Sequence, residues 1–371
     1  MKNPGSANKS MGLPWKALIA VTVVIVIVAL AAVIFARPIL TAMATNIIKQ
    51  RFISQSQKWE DGLYAGLAGT AGPFPDIKRA GPCIVVLAGD HLYIVDAGQG
   101  AARNIALMGF QMGKVDAVLL THFHSDHIAD LGEIMMQRWV GGSSAVPLDV
   151  IGPQGVEGVV EGFNLAYKLD DAYRVAHHGE ATVPPSGAGG TARPFSLTPD
   201  DDASVVVIDD GGLKVTAFKV SHAPVSPAVG YRFDYKGRSL VISGDTLPCA
   251  SLQKQAQGSD ILFQSALQPA MVRVIHDQAG SSTIPSLVKI TEDIPGYHSS
   301  PEDAARTAAA AGVKQLVLYH ITPPIPNPLL NNMYLGDAGK YYSGPITIGE
   351  DGLLISLPAN SDKISVGQLL K

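Results

Sequence analysis

Cysteine is scarce in this chain, with two among 371 residues. Two thiols build neither a disulfide framework nor a thiolate metal cluster, so any metal must rest on histidine and carboxylate. Charge is thin as well: Asp, Glu, Lys and Arg make up 16% of the residues, against 47% for the apolar set. A disordered or coiled-coil chain would reverse that balance. Nor is there a surplus of cations, because 28 Lys and Arg meet 32 Asp and Glu, a formal charge of −4. That excludes a generally basic nucleic-acid binder and makes nucleic acid an unexpected partner. No short-period repeat is present, and the length allows a single α/β domain of roughly 300 residues behind its first segment.

What the chain does have is one long uncharged run. Residues 17–36 carry no charge, and at about 1.5 Å per residue they reach across roughly 30 Å of hydrocarbon. Lys2, Lys9 and Lys16 precede the run, and Arg37, Lys49 and Arg51 follow it. It reads as a transmembrane anchor or as a signal peptide cleaved near Ala29-Leu30-Ala31. Its continuation to Phe35 favours the anchor, and the acid-free start favours a cytoplasmic N-terminus. The expected organisation is a short cytoplasmic segment (1–16), an anchor (17–36), a juxtamembrane stretch (37–75) and one folded domain (76–371). That domain would face the periplasm or exterior of a bacterial inner membrane.

Within the domain, β-rich runs predict strands at 83–87, 92–95, 115–120, 147–151, 204–208, 213–220, 229–235, 239–242 and 315–319. Helical patterns cover 101–110, 131–140 and a stretch ending near 169. Residues 301–311 open with Ser300 as N-cap, Pro301 in the first turn and Glu302 and Asp303 behind it, and Gly312 stops them. Residues 176–202 are rich in Gly, Pro, Ser and Thr and predict a long surface loop.

The chemistry gathers at strand ends. Thr121-His122-Phe123-His124-Ser125-Asp126-His127 follows the strand at 115–120. Three histidines and an aspartate in six residues cannot share one face of a strand or a helix. They converge only if the segment is a loop turning into a helix. Histidine and aspartate without cysteine suit Zn²⁺, or the related ions Mn²⁺ and Fe²⁺. Ser221-His222, Ser243-Gly244-Asp245-Thr246 and His320 each follow a further predicted strand. Singly these are ordinary polar strand ends; together, after a histidine cluster, they read as one donor set.

His122-Phe123-His124-Ser125-Asp126-His127 resembles the HxHxDH signature of the metallo-β-lactamase superfamily. Ser221-His222-Ala223-Pro224, Tyr231-Arg232-Phe233 and Ser243-Gly244-Asp245-Thr246 are similar to its ribonuclease Z and arylsulfatase-like branch. So are Tyr297-His298-Ser299-Ser300-Pro301 and Leu318-Tyr319-His320, while Val95-Asp96-Ala97-Gly98 matches the turn ahead of the signature. The resemblance implies a four-layered αβ/βα sandwich and a binuclear hydrolase acting on ester bonds. One divalent metal ion, zinc before manganese or iron, would sit on His122, His124 and His222. A second would sit on Asp126, His127 and His320, with Asp245 bridging and a shared hydroxide as nucleophile. Asp96 and Thr246 would orient ligands. Asp126 also counts among the catalytic residues, and His298 would lie over the metals to serve the leaving group or the transition-state charge. His91, His177, His178 and His276 receive no role, and Cys83 and Cys249 read as core or near-core thiols.

Two departures from ribonuclease Z stand out. Its His-Glu-Ala-Thr stretch is replaced by Leu262-Phe263-Gln264-Ser265-Ala266, which leaves His298 without a carboxylate partner there. Its basic tRNA-clamping arm would fall in 151–202, where three cations face eight acids, a net charge of −5. The expected substrate is therefore a small phosphodiester or sulfate ester, with tRNA 3′-processing and lactone or acyl-ester hydrolysis as alternatives. A non-catalytic binding protein is the remaining rival, although every expected ligand is present. Residues 176–202 and 321–345 are the candidate pocket loops. Many relatives dimerise, which leaves a homodimer open.

Overall fold

The structure, a computed structural model, describes residues 15–48, 59–280 and 284–370. The chain divides into two compact units, the first within residues 1–57 and the second from 58 onward. In the first, helix α1 (Trp15–Ile48) is apolar on every side and buries none of its residues. Its length and composition fit a membrane span, and a signal sequence near an N-terminus fits equally. The helix outruns the expected 17–36, continuing through Pro38 to Ile48. Lys2, Lys9, Lys49 and Arg51, which bear on orientation, lie outside the described residues, as does all of the 1–16 segment except Trp15 and Lys16.

The second unit is built on two sheets. The first has eight strands: β1 (Gly62–Gly69), β2 (Cys83–Ala88), β3 (His91–Val95), β4 (Val115–Leu119), β5 (Leu148–Pro153), β6 (Gly190–Phe195), β14 (Leu353–Pro358) and β15 (Ser365–Gln368), in the order β15-β14-β1-β2-β3-β4-β5-β6. The second has seven: β7 (Ser204–Asp210), β8 (Leu213–Lys219), β9 (Val229–Tyr235), β10 (Arg238–Ile242), β11 (Ile261–Leu267), β12 (Gln315–Thr322) and β13 (Ile346–Ile348), in the order β13-β12-β11-β10-β9-β8-β7. Each sheet has a parallel half, β3 to β6 in one and β10 to β13 in the other.

Four layers follow from which faces are apolar. Between the sheets lies one core containing Leu63, Ile84, Val95, Tyr231, Phe263 and Val317. Outside the first sheet pack α2 (Ala101–Leu107), α4 (Leu131–Gly142) and the root of α5 (Val156–His178), through Ile105, Ile134, Val156 and Val160. The one-turn helix α3 (Ser125–Ile128) precedes α4. Outside the second sheet pack α6 (Ala250–Ala256) and the alanine face of α9 (Pro301–Ala311), between which the chain forms α7 (Pro269–Gly280) and α8 (Pro285–Asp293). The expected capping of α9 is present: Ser300 and Asp303 form a reciprocal capping box and Gly312 ends the helix at φ 63°.

Two expectations need correction. Residues 176–202 are not one surface loop, because α5 continues to His178 and Gly190–Phe195 is the edge strand β6, parallel to β5. Pro194 is tolerated there because an edge strand need not donate every N–H. The hydrolase unit also starts before residue 76, since β1 is fully buried at the centre of the first sheet.

Candidate metal centre

Both sheets send their chemistry to one end. Asp96 follows β3, His122 to His127 follow β4, His222 follows β8, Asp245 follows β10, and His320 sits at the end of β12. The carboxyl ends of parallel strands are where open α/β sheets place ligands. After β4 the chain bends at Thr121, is extended at His124 and then turns into α3, which brings His122, His124, Asp126 and His127 into one donor cluster. Gly98 makes this possible: a Cβ there would lie 2.2 Å from the Gly81 carbonyl carbon and 2.6 Å from the Asp126 carbonyl oxygen. Asp96 and His320 both adopt left-handed backbone, at φ 59° and 52°. Strain of that kind persists only where surrounding structure over-determines it, and functional sites are where it collects.

The donor atoms fall into overlapping groups, each within 4.8 Å: His122, His124 and His222; His122, His127 and Asp245; Asp126, His127 and His320; His222, Asp245 and His298. Asp245 Oδ2 is at the centre, 3.1 Å from His320 Nε2, 3.3 Å from His127 Nε2, 4.0 Å from His122 Nε2 and 3.9 Å from His298 Nδ1. Asp126 Oδ2 lies 3.3 Å from His320 Nε2 and 3.7 Å from His127 Nε2. His298 thus reaches the donor cluster itself.

Around these atoms runs an orienting shell. Asp96 Oδ2 accepts from His127 Nδ1 at 2.8 Å, so His127 presents Nε2 inward. Asp96 also receives the Thr121 amide and hydroxyl, and that hydroxyl lies 3.0 Å from His122 Nδ1. The Tyr297 carbonyl accepts from His222 Nδ1 at 3.0 Å. Among the described residues Thr246 makes no hydrogen bond to a histidine ring: its hydroxyl accepts from the Ser221 amide and donates to the Leu247 carbonyl, while its carbonyl receives Ser299. It steadies the neighbours of His222 and His298 through backbone. Thr121 and the Tyr297 carbonyl are supports that strand-end motifs do not disclose, because one is a signature neighbour and the other a main-chain atom.

Electrostatics set the histidines apart. Burial pushes His122 well below its ordinary value and His298 down to about 3. Burial acts the same way on His320, but the Asp245 and Asp126 carboxylates overcome it and raise that imidazole to about 9. Burial would also lift the Asp126 carboxyl, yet His127 and His320 hold it below the usual range. Among the described residues, His127 Nε2, His222 Nε2, His298 Nδ1, His320 Nδ1 and Asp245 Oδ1 are buried without a hydrogen-bond partner. Unpaired buried polar atoms are costly, and four of these belong to the donor cluster and fit cations that would bind them, whereas His320 Nδ1 faces away toward Gly72 because its ring offers Nε2 to Asp245 and Asp126. His177 and His178 are exposed at the end of α5, Cys83 is buried and Cys249 half-buried, both as free thiols.

Beside Asp126 opens a cleft of about 950 Å³ lined by Lys78, Arg79 and Arg103. Asp351 holds its wall, accepting from the Ala80 amide at 2.7 Å and from Thr70 Oγ1 and Asn104 Nδ2, each at 2.8 Å. Burial nevertheless pushes this carboxyl up to about 6. An acid raised in the fold contributes stability that is full below its unfolded value and lost as pH rises through the folded one. From pH 4 to 7 the stability of the native chain relative to Asp351→Asn is therefore expected to fall by roughly 2.4 kcal/mol. Urea unfolding of both proteins at stepped pH checks this; a constant difference would contradict it.

Two packed sheets with a His/Asp cluster at their shared carboxyl edge define a metallohydrolase. The family description "Metallo-beta-lactamase superfamily" matches residues 77–269. The chain belongs to that superfamily, and it is a hydrolase acting on ester bonds. It is 36% identical over 287 residues to a Mycolicibacterium gilvum protein named Ribonuclease Z, covering 77% of this chain and 93% of that one. A Mycobacterium bovis protein of the same name is 37% identical, covering 77% and 95%. Among solved structures, the metallo-beta-lactamase fold protein YhfI from Bacillus subtilis matches with TM-score 0.57 at 21% identity, covering 80% of this chain and all of that one. The short form of human tRNase Z matches with TM-score 0.56 at 20% identity, covering 80% and 99%. At those identities the structures speak for the fold.

Proposed function

We propose that the protein cleaves phosphodiester bonds in RNA with two divalent metal ions, as the relatives' name implies for them. The observation that carries this reading is Asp245 Oδ2 standing within 4.0 Å of nitrogens from four histidines, beside a cleft lined by Lys78, Arg79 and Arg103 as well as by Asp76, Asp126 and Asp351. His122, His124 and His222 would hold one ion, Asp126, His127 and His320 the other, and Asp245 would touch both. Bound there, two divalent cations would lower the pKa of a water molecule to near neutral and offset the charge of the ester. Asp96 keeps His127 in the tautomer with Nε2 free, and the Tyr297 carbonyl does the same for His222. Asp126 and Asp245 supply the negative charge that lets two cations lie close together. His298, seated before the capped start of α9, faces the same centre and would donate to an oxygen of the departing group. Lys78 and Arg103 would draw the flanking phosphates, while Arg79 is held by Asp76.

This reading replaces the sequence-based preference for a small ester. The −5 charge of residues 151–202 belongs to a sheet edge and a helix of the fold, not to an arm, so it does not speak against a phosphate clamp. One observation keeps a small phosphodiester as a second reading. Gln264, in place of a carboxylate, donates to Ser299 at 3.2 Å and leaves His298 without an acidic partner from that strand.

The test is hydrolysis of a precursor tRNA with a 3′ trailer, of bis-p-nitrophenyl phosphate and of p-nitrophenyl sulfate, with metals counted per chain. Endonucleolytic cleavage at the trailer, lost on chelation and restored by Zn²⁺, Mn²⁺ or Fe²⁺, is expected. Turnover of the small phosphodiester alone would select the second reading, and turnover of the sulfate alone would overturn both. Helix α1 adds an anchor or an export signal to this activity.

A further inference from the structure

A second hollow opens at the same carboxyl edge, next to the loop that carries His222. It measures about 270 Å³ and gathers the ends of three strands: Pro153 and Gln154 after β5, Phe195 to Leu197 after β6, and Lys219 and Val220 after β8. The loop following β8 closes on itself. The Val220 amide donates to the Ala228 carbonyl at 3.0 Å, and the Val225 amide to that of His222 at 2.9 Å. One loop therefore gives His222 to the donor cluster and Val220, Val225 and Ala228 to the hollow. From Val220 to His222 is two residues, a reach of at most about 7 Å. Phe195 brings a half-buried aromatic ring, set edge-on to Tyr231 at 6.5 Å and 79°. Tyr231 in turn donates to the Leu120 carbonyl at 2.7 Å, at the root of the signature segment, which fixes the ring relative to the centre. Gln154 Nε2 donates to Ser196 Oγ at 3.0 Å, leaving Gln154 Oε1 to accept and the Ser196 hydroxyl to donate. Lys219 is the one cation in the lining among the described residues, and its Nζ is taken by the Pro199 carbonyl and Asp201.

An uncharged flat ring with polar edges meets these terms. A phosphate would find no free cation here, and the volume falls below the roughly 300 Å³ at which drug-sized sites begin. We propose that the hollow binds the nucleobase of a nucleotide next to the bond that is cut, stacked on Phe195 with its polar edge at Gln154 and Ser196. This rests on the phosphodiester reading above and adds to it a base preference on one side of the cut. His222 belongs to one half of the donor cluster and Asp126 to the other. A strand crossing the centre is then held on both flanks: through phosphate at Lys78 and Arg103 beside Asp126, and through a base beside His222.

The test uses the full chain in detergent and precursor tRNAs with one abasic nucleotide on either side of the cut. On one side only, the missing base should lower kcat/KM by about 10- to 100-fold, the worth of one stacked base. Phe195→Leu keeps apolar bulk without the flat ring and should bring that ratio to within about threefold. Gln154→Ala, at an exposed position, should even out the preference among the four bases. The losses should fall on the base-bearing substrate; variants that slow the abasic one equally would reduce the hollow to a brace for the His222 loop. A second measurement needs no turnover. A labelled trinucleotide should bind the chelator-treated chain at least about tenfold tighter than its fully abasic counterpart, by fluorescence anisotropy, and Phe195→Leu should erase the difference. Base-dependent binding without RNA cleavage would sink the phosphodiester reading and leave the base site standing. Equal turnover and affinity with and without the base, or a base effect that neither variant changes, would overturn the site itself.

Discussion

Asp245→Ala is expected to lose both metal equivalents and, with them, turnover, by at least about 10³-fold, because the nucleophile and the charge neutralisation would both come from the ions it holds. The geometry gives the reason. Asp245 Oδ2 lies 3.1 Å and 3.3 Å from His320 and His127, and its carboxylate also falls within the donor range of His122, His222 and His298. No other carboxylate among the described residues joins both halves of the cluster. Removing it would leave buried imidazoles facing one another with one acid, Asp126, on one side only. Neither cation would then be neutralised by a shared ligand, and the raised affinity of His320 for its proton would lose its main cause. Metal analysis by mass spectrometry and a trailer-cleavage assay read the two losses together. A variant that retains two ions would show that Asp245 is not the bridge.

His298→Ala should separate binding from chemistry. The ring is buried, its Nδ1 is unpartnered, and it approaches the centre from the loop ahead of α9, not from the signature segment. As a donor to the departing oxygen its loss should lower kcat by about 10²- to 10⁴-fold, the range for a positioned acid or base, with both metals retained. Its geometry offers one other role, since His298 joins His222 and Asp245 within 4.8 Å. Loss of one ion in this variant would move His298 into the ligand set and take the leaving-group role from it.

Much of this centre was readable because it is written locally. The segment from His122 to His127 needs only a loop turning into a helix, and α3 begins at Ser125 as that argument requires. Ser300 capping α9 is equally local. The strand ends carrying His222, Asp245 and His320 follow apolar runs that signal burial directly. What stayed hidden depends on pairing or on backbone. Gly190–Phe195 lacks a strand pattern because an edge strand with Pro194 owes its conformation to β5, not to its own side chains. β1 reads as a Gly- and Ala-rich linker because a central strand sealed on both faces need not alternate. Asp351 gives no signal, since its partners Thr70, Ala80 and Asn104 are hundreds of residues away.

The donors' order along the chain bears on synthesis. His122 and His320 close the same centre although nearly two hundred residues separate them, and β12 pairs with β11 of the second sheet only after α9 has been made. A ribosome-bound chain that has exposed the signature segment therefore holds half a cage, with thiol-free, loosely placed imidazoles that cations in the surroundings could occupy in the wrong number. With the proposed ligand set, loading would await the emergence of β12 and would couple maturation to completion of the second sheet.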